Sequence, residues 1–247
     1  MTNKLKILAC ASFSLLFSSN TAANYNESLE KIKSDLTSYE IYVSSAAQQM
    51  QIYTDANADY AGLLADMLGA DLGEISEVKS GKSTGSIYAS SAPQEQANNT
   101  SAFAKYLKLI ALLLDPQNEG IASTSSSLAA NEIYAKSALQ QSAVRTSAGF
   151  DYLEIIALAS NIDEQLVSEI SSAMRANEVL TSSAYQQNAN YSEATAKLLK
   201  EYAAAFAVDQ EQIDEIIASM SSQEIYVNSA LQQVALYEKT SSKILYL

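Results

Sequence analysis

Positions that fall at steps of three and four along the chain form stripes typical of one face of an α-helix. The clearest stripe lies between residues 179 and 205, a stretch without glycine or proline in which most residues favour helix. Its members are Val179, Ser183, Gln187, Tyr191, Ala194, Leu198, Tyr202 and Ala205. A second, shorter helix is predicted after it, because Asp209 and Gln212 have capping-box spacing and precede a new apolar stripe from Ile213 to Met220. Alternation typical of strands is absent, so the sequence predicts an all-α protein.

An eleven-residue pattern recurs five times at a spacing of 46 residues, without insertions. The third copy reads NEIYAKSALQQ, and every copy contains Ser-Ala followed by glutamine two positions later. A fixed period in this range indicates a repeat architecture, in which each unit buries its apolar face against the next. The predicted repeat register is 39–84, 85–130, 131–176, 177–222 and 223–247.

Each repeat is predicted to contain a long helix followed by a short one. In the third repeat Asn131 is a candidate N-cap with Glu132 in the first turn, which predicts a long helix of about 28 residues. Asp163 is the candidate start of a short helix of about 13 residues. The fold prediction is therefore a set of tandem 46-residue helical-hairpin repeats, about five short–long helix pairs, that form an α-solenoid or an elongated bundle.

Two features depart from this regular pattern. Pro93 should either kink the second long helix or stand at its first turn, since proline removes a backbone donor. The segments 71–84 and 117–130 are rich in glycine and serine, which predicts weak or partly disordered short helices.

The N-terminus has the three-part layout of a secretory signal peptide. Lys4 and Lys6 precede an apolar run from Ile7 to Phe17, and small residues end at Ala23. We therefore predict a signal peptide over residues 1–23 and a single all-α repeat domain over 24–247, with no transmembrane segment after cleavage. A lipoprotein signal ending at Cys10 is the less favoured alternative. The prediction places the protein outside the cytoplasm, secreted or periplasmic, with a signal of bacterial type.

Charge and composition argue against several classes of function. The formal net charge is −13 and becomes −15 when Lys4 and Lys6 leave with the signal peptide, which disfavours nucleic acid as a partner. The chain has no histidine, and its one cysteine is Cys10. Most nucleophile–base pairs and transition-metal sites are thereby excluded. We predict that the protein is not an enzyme, and we assign no catalytic, cofactor-binding or metal-binding residue.

The recurring tyrosines and glutamines are the candidate interaction residues. One interpretation is packing between repeats, with neighbouring glutamines forming a polar ladder through the stack. The other is a groove that binds a peptide, glycan or partner helix. The residues are Tyr42, Gln48, Tyr88, Gln94, Tyr134, Gln140, Gln141, Gln186, Gln187, Tyr226, Gln232 and Gln233.

Both ends of the predicted stack expose an unfinished repeat, which suggests assembly through a contact between ends. The residues expected to meet there are Leu29, Ile32, Ile244, Leu245, Tyr246 and Leu247. The sequence therefore favours an exported, non-enzymatic structural or scaffold protein that self-assembles into an extracellular filament, matrix or surface structure. The alternative is a monomeric secreted or periplasmic binding module for another protein or a glycan.

Overall fold

The structure is a computed structural model that describes residues 19–178, 181–205 and 210–247, and within 19–23 the backbone only. These residues form ten α-helices and no strand, which confirms the all-α prediction. Most of the predicted signal peptide, the pair Val179–Leu180 and the predicted helix start at Asp209 lie outside the described residues.

The helices alternate between an outer and an inner position. The outer helices are α1 (Ser19–Glu40), α3 (Leu72–Tyr88), α5 (Glu119–Tyr134), α7 (Glu164–Glu178) and α9 (Gln210–Glu224). The inner helices are α2 (Ala46–Leu68), α4 (Ala92–Leu114), α6 (Ala138–Ala159), α8 (Ala184–Ala205) and α10 (Ala230–Tyr246).

The five inner helices form a closed ring. Helix α2 packs against α4, α4 against α6, α6 against α8 and α8 against α10, and α10 returns to pack against α2. Each outer helix packs mainly on the inner helix that follows it in the chain. The expectation that the first and last helix pairs lack neighbours is therefore wrong.

The inner helices run parallel, because each outer helix carries the chain back before the next inner helix begins. Helix α8 keeps the same register with both of its neighbours: Asn188 donates to the Ser142 hydroxyl on α6 at 3.3 Å, and Ser192 donates to Glu238 on α10 at 2.7 Å. Each of these pairs spans 46 residues. All turns from an outer to an inner helix therefore lie at one end of the ring.

The space enclosed by the inner helices, called the lumen here, is apolar at one end and polar at the other. The main core cluster lies along the C-terminal halves of the inner helices and includes Ile110, Leu153 and Leu198. Nearer the N-termini of these helices, Gln96 and Asn188 are buried at 1% and 0% exposure. The lumen thus has a conventional hydrophobic core along the C-terminal halves of the inner helices and a buried polar section nearer their N-termini.

The predicted helix bounds are wrong at the recurring eleven-residue pattern. In the third repeat α5 continues through Asn131 and ends at Tyr134, and α6 begins at Ala138. Ser137 is the true N-cap, and it forms a capping box with Gln140. Such a box satisfies backbone donors at the helix start, so it breaks what looked like one long helix. The inner helices α2, α4, α6 and α8 consequently have 22 or 23 residues, and the outer helices α3, α5, α7 and α9 have 15–17.

The segments predicted to be weak are helical. Lys82 on α3 pairs with Asp55 at 2.8 Å and also with Asp59, both on α2. Helix α5 is held by Ser125, whose hydroxyl is 2.8 Å from that of Tyr152 on α6. Pro93 does not kink the second inner helix. Helix α4 starts at Ala92, so the proline stands in its first turn, as the second of the two alternatives predicted.

A close contact between two inner helices at Gly62 predicts an effect on stability. A Cβ at Gly62 on α2 would lie 2.9 Å from Cζ of the buried Tyr106 on α4, whereas one at Gly81 on α3 meets nothing within 4 Å. Gly81→Ala should raise the free energy of unfolding by about 0.5–1 kcal/mol. Gly62→Ala should be less stable than Gly81→Ala by about 1–3 kcal/mol. It gains the same helix propensity, but its new methyl group overpacks against the Tyr106 ring. Urea denaturation measures both, and equal stabilities would contradict this packing.

Candidate functional site

The candidate site is the end of the ring where the outer helices turn into the inner ones. Four of the five turns carry an isoleucine followed by a tyrosine, and we call this surface the Ile–Tyr end. Its described residues are Ile41, Tyr42, Ile87, Tyr88, Ile133, Tyr134, Ile225 and Tyr226. All eight side chains are between 76% and 82% exposed. Large exposed apolar side chains grouped at one end of a folded protein usually indicate a surface that binds another molecule.

The turns are held in place from the inner-helix side by capping boxes. Gln140 accepts from the backbone N–H groups of Lys136 at 2.9 Å and Ser137 at 3.2 Å. Ser137 in return accepts from the N–H of Gln140. Equivalent bonds start α2, α8 and α10, and in the second turn Gln94 accepts from the N–H of Ser90 at 2.7 Å.

A second contact holds the turns from the outer-helix side. Tyr53 donates its hydroxyl hydrogen to Glu40 and Tyr191 donates to Glu178, each across thirteen residues. In the third turn the Arg145 guanidinium donates to Glu132 at 2.7 Å across the same interval. We call these contacts clasps. At the first and third turns a clasp and a capping box occur together, so the Ile–Tyr pairs there are held from both sides.

The tyrosines of the clasps remain donors over the ordinary pH range. Burial, and then the hydrogen bond to Glu40, raise the pKa of Tyr53. Burial and Glu178 raise the pKa of Tyr191 in the same way. Tyr237, which bonds to Glu224 in the last turn, has its pKa raised first by burial and then by Glu193. Their role is positioning rather than proton transfer, because none of these phenols ionises near neutral pH.

The predicted glutamine ladder is wrong. Gln48, Gln94, Gln140, Gln186 and Gln232 accept hydrogen bonds from backbone N–H or hydroxyl groups three or four residues away. They do not bridge neighbouring repeats because the box that starts each inner helix uses their side-chain oxygens. Of the glutamines that follow, Gln141 and Gln187 are half-buried, and Gln233 lines a shallow pocket between α8 and α10. The structure therefore assigns capping to one row of glutamines and brings the tyrosines together at the Ile–Tyr end.

The residues predicted to join the ends of two molecules make contacts inside one chain. Tyr246 donates to Glu30 on α1 at 2.6 Å, and the Lys33 ammonium lies 4.0 Å from the centre of its ring. Ile244 is buried at 4% exposure. Leu245 and Leu247 are partly buried against the main core cluster. Leu29 and Ile32, both half-buried on α1, lie on the helix that Tyr246 contacts. The ring closes, so the last helix meets the first of its own chain.

Buried polar residues that the sequence analysis did not identify lie at the closing contact. Asn57 on α2 donates to Glu238 Oε2 at 2.7 Å, and Ser242 donates to Asn57 at 2.6 Å. Glutamate at position 238 stands where the other inner helices have threonine or serine, at 46-residue steps. That exception in an otherwise hydroxyl row was a signal that could have identified it.

The capping boxes predict a measurable loss of stability. Ser137→Ala removes the side chain that accepts from the N–H of Gln140 and should lower the free energy of unfolding by about 1 kcal/mol. Ser126→Ala is the matched control, because Ser126 lies inside α5 and only bonds back to Ala122. It should be neutral or stabilising, since alanine is the better helix former. Denaturation curves that rank the two variants the other way would contradict the assigned cap.

Within the described residues no helix has the length and apolar character to cross a membrane. The same residues contain no group of three or more acidic, histidine or cysteine side chains that could hold a metal ion. A comparison with family models, curated proteins and solved structures finds no match for this chain.

Proposed function

We propose that the protein is an exported, non-enzymatic scaffold whose Ile–Tyr end pairs with the same end of a second copy. The observation that carries the proposal is the set of four exposed Ile–Tyr pairs, three of which lie in turns held by both a helix cap and a clasp. Preformed turns lower the entropy lost on association, so such a surface is suited to binding. Export is proposed from the pattern of residues 1–23.

The exposed area matches what a stable pair of proteins needs. A tyrosine buries about 150–250 Å² when it becomes covered. The four tyrosines of the Ile–Tyr end, each at least 77% exposed, would therefore contribute on the order of 500–800 Å² per copy. The four isoleucines add to this. Stable interfaces bury about 800 Å² on each partner.

Carboxylates lie at both ends of the ring, but at the Ile–Tyr end Glu40 and Glu132 accept hydrogen bonds from Tyr53 and Arg145. The opposite end carries Asp71, Asp115 and Asp163 at or beside the starts of outer helices. Two copies joined by their Ile–Tyr ends would point these carboxylates away from each other. A two-fold arrangement of this kind uses the same patch on both subunits and closes at a dimer. A filament or matrix would need a further contact elsewhere on the molecule.

We also propose that the five helix pairs are copies of one 46-residue unit. The support is the recurrence of capping glutamines, clasps and lumen hydroxyls at that interval. A monomeric binding module for another protein or a glycan is the second candidate, because exposed tyrosines in a fixed ring also suit such partners.

Sedimentation velocity over a range of concentrations tests the proposed pairing. The test variant combines Tyr42→Ser, Tyr88→Ser, Tyr134→Ser and Tyr226→Ser. The control combines Leu72→Ser, Leu113→Ser and Leu158→Ser, which are exposed leucines near the opposite end. We expect a dimer for the unmodified protein and the control, and a dissociation constant raised about 100-fold or more in the tyrosine variant.

Two results would contradict the proposal. An unmodified protein that stays monomeric at all concentrations removes the self-pairing and favours the binding-module candidate. A dimer weakened by the leucine substitutions but not by the tyrosine substitutions would place the interface at the end opposite the Ile–Tyr end. Circular dichroism of each variant checks that the helices remain folded.

A further inference from the structure

A groove runs along the outward face of α2, between the outer helices α1 and α3. Its volume is about 520 Å³, which is within the range of sites that hold small organic molecules. Half-buried apolar side chains from all three helices line it, among them Ile32 on α1, Leu63 on α2 and Ile75 on α3. The groove lies on the side of the ring, outside the lumen, and it offers a ligand apolar contact along its length.

The stripe of α2 that faces this groove differs from the same stripe on the other inner helices. Positions 55, 59, 62 and 66 follow each other at steps of three and four, so they share one face of the helix. They read Asp, Asp, Gly and Asp on α2. At 46-residue steps the same positions read Ser-Lys-Lys-Leu on α4, Ser-Asp-Glu-Leu on α6 and Glu-Lys-Lys-Ala on α8. Helix α2 thus carries three carboxylates in this stripe and a gap at Gly62, where the other three helices carry a long charged side chain.

The gap at Gly62 lets a buried tyrosine reach the groove. Tyr106 on α4 is 3% exposed and lines the groove, and a Cβ at Gly62 would lie 2.9 Å from its Cζ, the atom that carries the hydroxyl. That hydroxyl forms no hydrogen bond with any residue in the described part of the chain. Burial, and then the charge of Asp59, raise the pKa of Tyr106 to about 12, so the hydroxyl is neutral. Buried polar groups normally have a partner, and this one is left for a molecule in the groove.

The groove carries an excess of negative charge. Four aspartates line it against two lysines, and both lysines lie on the outer helices. Lys82 pairs with one oxygen of Asp55 at 2.8 Å and with one oxygen of Asp59. Asp66 has a hydrogen bond from Tyr25, and no lysine or arginine among the described residues forms an ion pair with it. In the same residues no three carboxylates gather as a metal ion would need, so the cation that fits this groove is an extended one.

We propose that the groove binds a linear polyamine of the spermidine type, which lies along α2 with its methylene groups on the apolar wall. Asp59 and Asp66 are about 10 Å apart along the helix axis, and the terminal ammonium groups of an extended spermidine have a similar separation. Each terminal ammonium donates to one of these carboxylates. Gly62 lies between the two aspartates, so the Tyr106 hydroxyl meets the middle amine of the ligand and accepts its N–H.

Attraction to the overall charge of the protein is the competing explanation for any bound polyamine. A formal net charge of −13 draws every polycation toward the surface. Such attraction depends on the sum of the charges and is the same for every exposed carboxylate that is removed. The proposed site depends instead on Asp66 and on the contact of Tyr106 with the middle amine. The diamine 1,8-diaminooctane has a methylene where spermidine has that amine, so it separates the two explanations.

Isothermal titration calorimetry at neutral pH and low ionic strength tests the site, and we expect one spermidine per chain. Asp66→Asn should raise the dissociation constant about tenfold, because a charge-assisted hydrogen bond is lost. Glu169→Gln removes an equal charge from an exposed position on α7 and should leave the constant nearly unchanged. Tyr106→Phe should raise the constant for spermidine about tenfold and leave that for 1,8-diaminooctane unchanged. This variant should fold normally, because it keeps the ring and loses a hydroxyl without a partner in the fold.

Equal losses of spermidine affinity in Asp66→Asn and Glu169→Gln would overturn the proposal, because they indicate attraction to the overall charge. A Tyr106→Phe protein that binds both amines as the unmodified protein does, or an unmodified protein without saturable binding, would also overturn it. The amide NMR spectrum provides an arm that needs no variant. Spermidine should shift the signals of Gly62 and Leu63 and leave that of Ile225 in place, whereas shifts spread evenly over the acidic surface would contradict the site.

Discussion

The fold depends on the contact that closes the ring, where the last inner helix packs against the first. Asn57 donates to the Glu238 carboxylate at 2.7 Å, and Ser242 donates to Asn57 at 2.6 Å, all in buried surroundings. Separating the two helices would leave these groups without partners or return them to water, and it would expose the apolar contact of Met50 with the last helix. Because polar partners must meet in one alignment, this contact also fixes the register in which the ring closes.

Closure determines where the candidate surfaces lie. Parallel inner helices place every turn from outer to inner helix at one end, so the exposed apolar pairs gather there instead of spreading along an open stack. The same closure encloses the lumen and brings Glu238 opposite the hydroxyls of the other helices. The clasp of Tyr191 with Glu178 and its equivalents then hold the turns above the lumen. An interaction surface and a buried polar section are thus two consequences of one closed arrangement.

Sequence periodicity predicted the helical class, and the predicted start of a short helix at Asp163 is confirmed, since Asp163 caps α7. The predicted starts of the inner helices were wrong. Ile133 and Tyr134 continue an apolar stripe, and apolar residues in such a stripe are expected to be buried within one helix. The capping-box spacing of Ser137 and Gln140 is present in the sequence, and this box sets the start of α6. Closure itself could not be predicted, because the period of the apolar positions does not specify the angle between successive helix pairs.

The most direct test of closure is a distance between spin labels on the first and last inner-helix turns. With Cys10 replaced by serine the chain has no cysteine of its own, so Ser44→Cys with Asn228→Cys, diluted into unlabelled protein, gives one intramolecular distance. Ser44→Cys with Ser90→Cys gives the reference for neighbouring turns. The ring predicts similar distances for both pairs by pulsed electron paramagnetic resonance. An open row of five inner helices would separate the first pair by about 30–40 Å at the usual interaxial spacing, and that result would contradict the account.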